Sequence, residues 1–227
     1  MRAKTRDLLT HSWQSQANLS MFLFLLVVVT FVLPSMGFEK SNLPIYADAV
    51  FSVALVVGTA IAWENRTLFA LTSLVTIVTI VVRWATLWRP TNPVILWRAS
   101  TGLAAILMIT TILLWQVFRS GPVTAKRVQG ALAAYLCLGF AWAHAYHIAA
   151  LLDPGAFNSA GSDVSGVSTW VNYSFGMLTT VGYQGILPVH PVAHTLGSGE
   201  AVAGQLYLAV LVARLVSMQV SSAAKGD

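Results

Sequence analysis

Seven consecutive residues, Thr179-Thr180-Val181-Gly182-Tyr183-Gln184-Gly185, carry the most legible chemistry in this chain. A short extended stretch with small or packable side chains can turn its carbonyls toward one axis. Rings of such oxygens can replace the water shell of a dehydrated alkali cation. Thr180, Val181, Gly182 and Tyr183 supply the carbonyls, and Thr180 adds a hydroxyl. One chain contributes one strand, whereas a ring needs several copies, so the chemistry implies a cyclic oligomer. The helix-sized apolar piece Val167 to Leu178 precedes the segment, with Ser165 or Ser168 placed to cap it. The C-terminal dipole end of that helix would favour a cation.

Such backbone tolerates lipid only where protein or water encloses it, because each unsatisfied amide in hydrocarbon costs several kcal/mol. The composition supplies that setting. The 227 residues are 56% hydrophobic and 9% charged, which is too apolar for an ordinary soluble domain. The net charge of +5 is scattered among loops. No basic stripe interleaved with aromatics is present, which argues against a nucleic-acid partner. The one cysteine, Cys137, lies in an apolar run, so neither a disulfide framework nor a thiolate cluster is expected within a subunit. Arg2, Lys4 and Arg6 precede an apolar run long enough to span, read here as a retained helix rather than a cleaved leader.

About 20 mainly apolar residues cross the hydrocarbon. Six segments meet that length: Leu19 to Met36, Ile45 to Trp63, Leu68 to Trp88, Val94 to Phe118, Val128 to Leu152 and Thr195 to Val220. The expected fold is an all-α membrane protein of six transmembrane helices, with a re-entrant helix and loop between spans five and six. With the N-terminus inside, Arg2, Lys4, Arg6, Arg66, Arg119, Lys126, Arg127 and Lys225 fall on the cytoplasmic side, as do both termini. Trp63, Trp84, Trp88, Trp97 and Trp115 cluster at span ends like interfacial belts. Residues 1–118 form a front domain, 119–127 a basic cytoplasmic linker lying along the inner membrane surface, and 128–227 the rear domain.

With Tyr173-Ser174-Phe175-Gly176-Met177-Leu178 before it and Gly204-Gln205-Leu206-Tyr207-Leu208-Ala209-Val210 after it, the Thr179–Gly185 string closely resembles the pore module of the potassium channel family, especially bacterial two-helix pores. The resemblance covers roughly Val128 to Val220. It implies a homotetramer in a bacterial plasma membrane, among lipids, with K+ as permeant ion and no cofactor; no partner subunit is implied. It also implies that Tyr173 braces Tyr183. The usual family motif is T-V-G-Y-G-D, but here Gln184 stands at the second glycine and Gly185 at the aspartate. The glycine it replaces commonly takes positive φ, which costs other L-residues about 1–2 kcal/mol. Either Gln184 tolerates that strain, or the outer end takes another shape, with Gly185 absorbing the turn and an outer ion site lost. Gly176 stands where several members carry a glutamate, so the carboxylate pair that stiffens the filter from behind is absent.

Gly204, in the last span, matches the position where family members bend on opening; a gating hinge and a close-packing point are the two readings. Glu200, one turn earlier, is a functional suspect as an acid within a span. It is expected to support the filter by hydrogen-bonding its backbone. Arg214 is expected to snorkel to the interface. His144 and His147 share a helix face and are expected to pack on the short helix rather than bind a transition metal. His190 and His194 lie just beyond the filter as candidates for proton sensing.

Four spans before a pore invite comparison with a voltage sensor, but the fourth carries only Arg98. Asp48, Arg83 and Arg98 are expected to form a structural ion-pair cluster. An intramembrane enzyme is disfavoured, because no serine elbow, zinc H-E-x-x-H helix or nucleotide loop is present. A nonconducting or regulatory membrane scaffold keeping the channel fold is the alternative to a cation channel. With one mobile arginine per chain, a leak-like or ligand-modulated conductance is expected. Patch recordings would then give a shallow conductance–voltage curve, and a steep one would contradict this.

Overall fold

A computed structural model describes residues 17–33, 43–63, 65–88, 91–119, 124–158, 167–182 and 185–223. Seven helices run through them: α1 (Ala17–Val32), α2 (Leu43–Ala60), α3 (Arg66–Trp88), α4 (Asn92–Phe118), α5 (Ala125–Leu152), α6 (Val167–Leu178) and α7 (Pro191–Ala223). The last turn of α1, Val28–Val32, is π-helical. Among the described residues, the extended structure is a two-residue antiparallel ladder of β1 (Phe157–Asn158) and β2 (Leu187–Pro188). Four helices, α3, α4, α5 and α7, are long and apolar enough to cross a bilayer, which marks an integral membrane protein. α1 and α2 are shorter apolar helices, and the part of the first expected span beyond Leu33 lies outside the described residues.

The packing is inverted relative to a water-soluble bundle. α3 buries Thr72, Thr76, Thr79, Arg83 and Thr86, at alternating spacings of four and three, while Leu71, Leu74, Ile77, Val78 and Val81 stay exposed. In lipid the apolar face needs no cover, and the polar stripe must find partners inside the protein. It does so locally. The hydroxyl of Thr72 donates to the Leu68 carbonyl, Thr79 to Val75 and to Thr101 of α4, and Thr86 to the Arg83 carbonyl. Asn65 starts the helix by accepting the Thr67 and Leu68 amides on its side-chain oxygen.

Three charges meet between α2, α3 and α4. Oδ1 of Asp48 on α2 accepts from Arg83 of α3 at 2.6 Å and from Arg98 of α4 at 2.7 Å. Arg98 also donates to the Thr86 hydroxyl, and the Arg83 guanidinium lies 4.3 Å above the Phe51 ring. The ion-pair cluster read from the sequence is thus assembled.

Front and rear halves share one apolar core. Leu19, Phe22 and Leu26 of α1 meet Phe51, Ala54 and Leu55 of α2, Ile106, Ile109 and Leu113 of α4, and Ala133, Ala134, Cys137 and Phe140 of α5. α5 takes in two of the basic residues read as linker. α5 starts at Ala125, and the Thr124 hydroxyl accepts the Arg127 amide, so Lys126 and Arg127 sit in the first turn of a helix rather than in a linker. A capping threonine before three good helix formers accounts for this. Arg214 does not snorkel freely, because its guanidinium donates to the Phe118 carbonyl at the end of α4.

Asp48→Ala would leave two guanidinium groups buried without their carboxylate. The expected loss is about 3–5 kcal/mol in detergent unfolding titrations. Arg98→Met should cost less than Asp48→Ala, since the Arg98 side chain is 17% exposed and that of Asp48 2%, and Arg83 then keeps its carboxylate.

Candidate functional site

The twelve residues of α6 are held between α5 and α7. Seating on α5 depends on Gly139: a Cβ there would lie 2.7 to 3.0 Å from the Phe175 ring, and the Gly139 carbonyl accepts the Ser174 hydroxyl at 2.7 Å. α5 buries small residues along its length, Gly130, Ala131, Ala133, Ala134, Gly139, Ala141 and Ala143, which lets its neighbours approach closely. At the entry to α6, Tyr146, Phe157, Trp170 and Tyr173 pack edge to face, with the Tyr146 and Tyr173 centroids 4.8 Å apart.

α6 ends in a Schellman motif. The Thr180 amide donates to the Met177 carbonyl at 2.9 Å and the Val181 amide to Gly176 at 2.9 Å, with Gly182 sharing Gly176 at 3.1 Å. The motif requires a left-handed residue, and Thr180 fills that place with φ of +63°. A β-branched side chain there is strained, since glycine is the usual occupant. The Thr180 hydroxyl donates to the Thr179 carbonyl, and the Thr179 hydroxyl to Phe175. The amides of this turn are thus spent on the helix end. The carbonyls of Thr180, Val181 and Gly182 have no hydrogen-bond donor among the described residues, and all three residues are exposed.

The far end of the segment is tied separately. Gly182 and Gly185 have φ of +69° and +68°, the left-handed conformation that glycine takes without strain. Tyr183 and Gln184 lie outside the described residues, and with them the Tyr173 to Tyr183 contact. Beyond Gly185, Leu187 and Pro188 pair with Asn158 and Phe157, and the Val189 amide donates to Ala156 at 2.8 Å. Asp153 organises that loop by accepting the Gly155 amide on its side chain and the Ala156 amide on its carbonyl.

α7 meets α6 through Gly197, Glu200 and Gly204, spaced along one helix face. Cβ atoms at Gly197 and Gly204 would strike the Met177 side chain and the Leu178 carbonyl respectively. Gly204 is therefore a notch that admits the last carbonyl of α6, and α7 is helical straight through it. Glu200 corrects the sequence reading. It is fully buried and, among the described residues, bonds not to the backbone of the segment but to the Tyr146 hydroxyl at 2.6 Å and the Ser174 hydroxyl at 2.5 Å. Its carboxyl, one turn before Gly204 on α7, faces Ser174 of α6, one turn before the Leu178 end at which the segment turns.

Sequence reasoning missed Ser174, Tyr146 and Gly139. The available signal was that an acid within a span needs hydroxyl partners on neighbouring helices, but nothing local selects which ones. Ser168 lies inside the first turn of α6, and Ser165 lies outside the described residues. His144 of α5 also differs from expectation. His144 faces the front half, against Gly102 of α4 and stacked on Phe51 of α2, while its Nδ1 donates to the Phe140 carbonyl at 2.8 Å. No group of three metal-ligating side chains occurs among the described residues. His194 lines a shallow, open depression with Thr195, Ser198, Gly199 and Val202.

No protein-family profile, no curated protein and no solved structure matches the chain.

Two substitutions should act in opposite directions. Thr180→Gly relieves the left-handed strain and is expected to raise stability by about 1 kcal/mol per chain. Gly204→Ala pushes the Leu178 carbonyl out of its notch and is expected to lower stability by about 1–3 kcal/mol. Unfolding titrations in mixed micelles measure both.

Proposed function

We propose that the chain is one subunit of a homotetrameric potassium-type cation channel, passing K+ down its gradient through a filter lined by carbonyls. In this reading six helices, α1 to α5 and α7, cross a bacterial plasma membrane with both termini inside. α6 is the pore helix, and the segment after it returns to the outer face. One observation carries the reading: the carbonyls of Thr180, Val181 and Gly182 leave the end of a braced helix without donors among the described residues, where the neighbouring amides are already used. Unpaired main-chain oxygens at that depth need a partner, and a partly dehydrated cation is one.

Two further features support a ring of copies. Val181 is 53% exposed within one chain, although an apolar side chain beside a filter has to be covered. α7 is the least covered of the four long helices, and Val202, Leu206, Val210 and Val212 stand out from it. Neighbouring subunits would cover both. The family resemblance adds the number four.

Gln184 shapes the outer end. The two left-handed glycines, Gly182 and Gly185, are separated by Tyr183 and Gln184, where the family motif places one residue between its glycines. The inner sites at Thr180 to Tyr183 keep their carbonyls, while an outer site is lost and the filter is less rigid. The departures at Gln184 and Gly185 also favour the second reading, a nonconducting or regulatory scaffold.

Flux from liposomes holding the purified protein decides between these readings. The channel reading expects K+ and Rb+ to pass with only modest preference over Na+, and Gln184→Gly to sharpen that preference. No flux of any of the three ions, in either the wild type or Gln184→Gly, would leave the scaffold.

A further inference from the structure

We propose that Glu200 is a neutral carboxylic acid whose own hydrogen completes the junction of α5, α6 and α7, and that it is the positioning residue for the pore helix. The argument is a count of hydrogens. Three close oxygen–oxygen contacts meet at this point: Tyr146 Oη to Glu200 Oε2 at 2.6 Å, Ser174 Oγ to Glu200 Oε1 at 2.5 Å, and Ser174 Oγ to the Gly139 carbonyl at 2.7 Å. Each contact at such a distance needs one hydrogen between its oxygens. The two hydroxyls supply two.

An ionised Glu200 leaves one contact empty. If Ser174 donates to the carboxylate, its oxygen faces the Gly139 carbonyl lone pair to lone pair. If it donates to Gly139, it faces Oε1 in the same way. A hydrogen on Oε1 satisfies all three: the carboxyl donates to Ser174, Ser174 donates to Gly139, and Tyr146 donates to Oε2. The surroundings agree with an uncharged group. Glu200 and Ser174 are both fully buried, and no Lys, Arg or His contacts the carboxyl among the described residues. The titratable groups that interact with it are Tyr135 and Tyr146 of α5 and Tyr173 of α6. An unpaired buried carboxylate would be far more costly than the neutral acid.

The junction explains how α6 keeps its place without the carboxylate pair that the family puts behind the filter. Ser174 sits one turn before the Leu178 end that Gly204 receives, so α7 grips α6 at two adjacent turns of a continuous helix. The role toward the filter rests on the channel reading above; the hydrogen assignment does not.

Infrared difference spectra of the purified protein in lipid test the assignment, with Glu200→Gln as the partner sample. The glutamine keeps an acceptor for Tyr146 and a donor for Ser174, so the protein should fold. A protonated-carboxyl C=O band present in the wild type, lost in Glu200→Gln and shifted in Ser174→Ala is the expected result. Loss of a carboxylate band instead, with no change in the protonated-carboxyl region, would overturn the proposal. Flux adds a functional arm: Glu200→Gln should pass ions like the wild type, whereas Glu200→Asp, too short to reach both hydroxyls, should lose about tenfold. Equal loss in the two variants would remove the positioning role. A wild type that passes no ions at all would remove the channel reading and leave the spectra to decide the proton.

Discussion

A helix that stops inside a membrane protein has to dispose of its last carbonyls and of the amides that follow them without help from bulk water. The end of α6 does this within a few residues. Gly176 and Met177 accept amides from the turn beyond, the Leu178 carbonyl fits the notch at Gly204, and Thr180 bears the left-handed conformation that makes the reversal possible. The carbonyls of Thr180 to Gly182, which meet no donor among the described residues, are what remains once those demands are met. The small residues of α5, the aromatic group around Tyr146 and the grip of α7 all hold that one turn in place.

The front half solves a related problem by different means. Its hydroxyls are satisfied largely within their own helices, so the polar stripe of α3 can face the bundle interior without a dedicated partner for each threonine. The charges cannot be treated in this way, and they converge on a single carboxylate oxygen. Phe51 lies between the two systems, beneath Arg83 on one side and against Phe140 and His144 of α5 on the other. The two halves are therefore packed together through side chains as well as joined in sequence.

Hydropathy made the long helices readable, and it located α6 because a twelve-residue apolar piece flanked by Gly and Ser is distinctive. The Asp48, Arg83 and Arg98 cluster was readable too, since few charges occur within the apolar segments and each needs another. Pairings across sequence distance were less accessible. Glu200 is 26 residues from Ser174 and 54 from Tyr146, and hydropathy carries no information on which hydroxyl an acid will meet. The direction of His144 depended on the missing side chain of Gly102, a cue visible only once α4 and α5 are side by side. The strain at Thr180 could not be anticipated from a residue whose intrinsic preference is for extended backbone.

Asp48 also constrains how the protein can be built. It belongs to α2, whereas the two cations that it neutralises arrive later, on the hairpin of α3 and α4. Each of these segments alone would carry an unmatched charge into hydrocarbon, on one side an anion and on the other two guanidiniums. Sequential, independent partitioning is therefore the costly route, and lateral release of all three helices as a preassembled packet is the economical one. Sharing one oxygen thus favours joint over stepwise entry of the three helices.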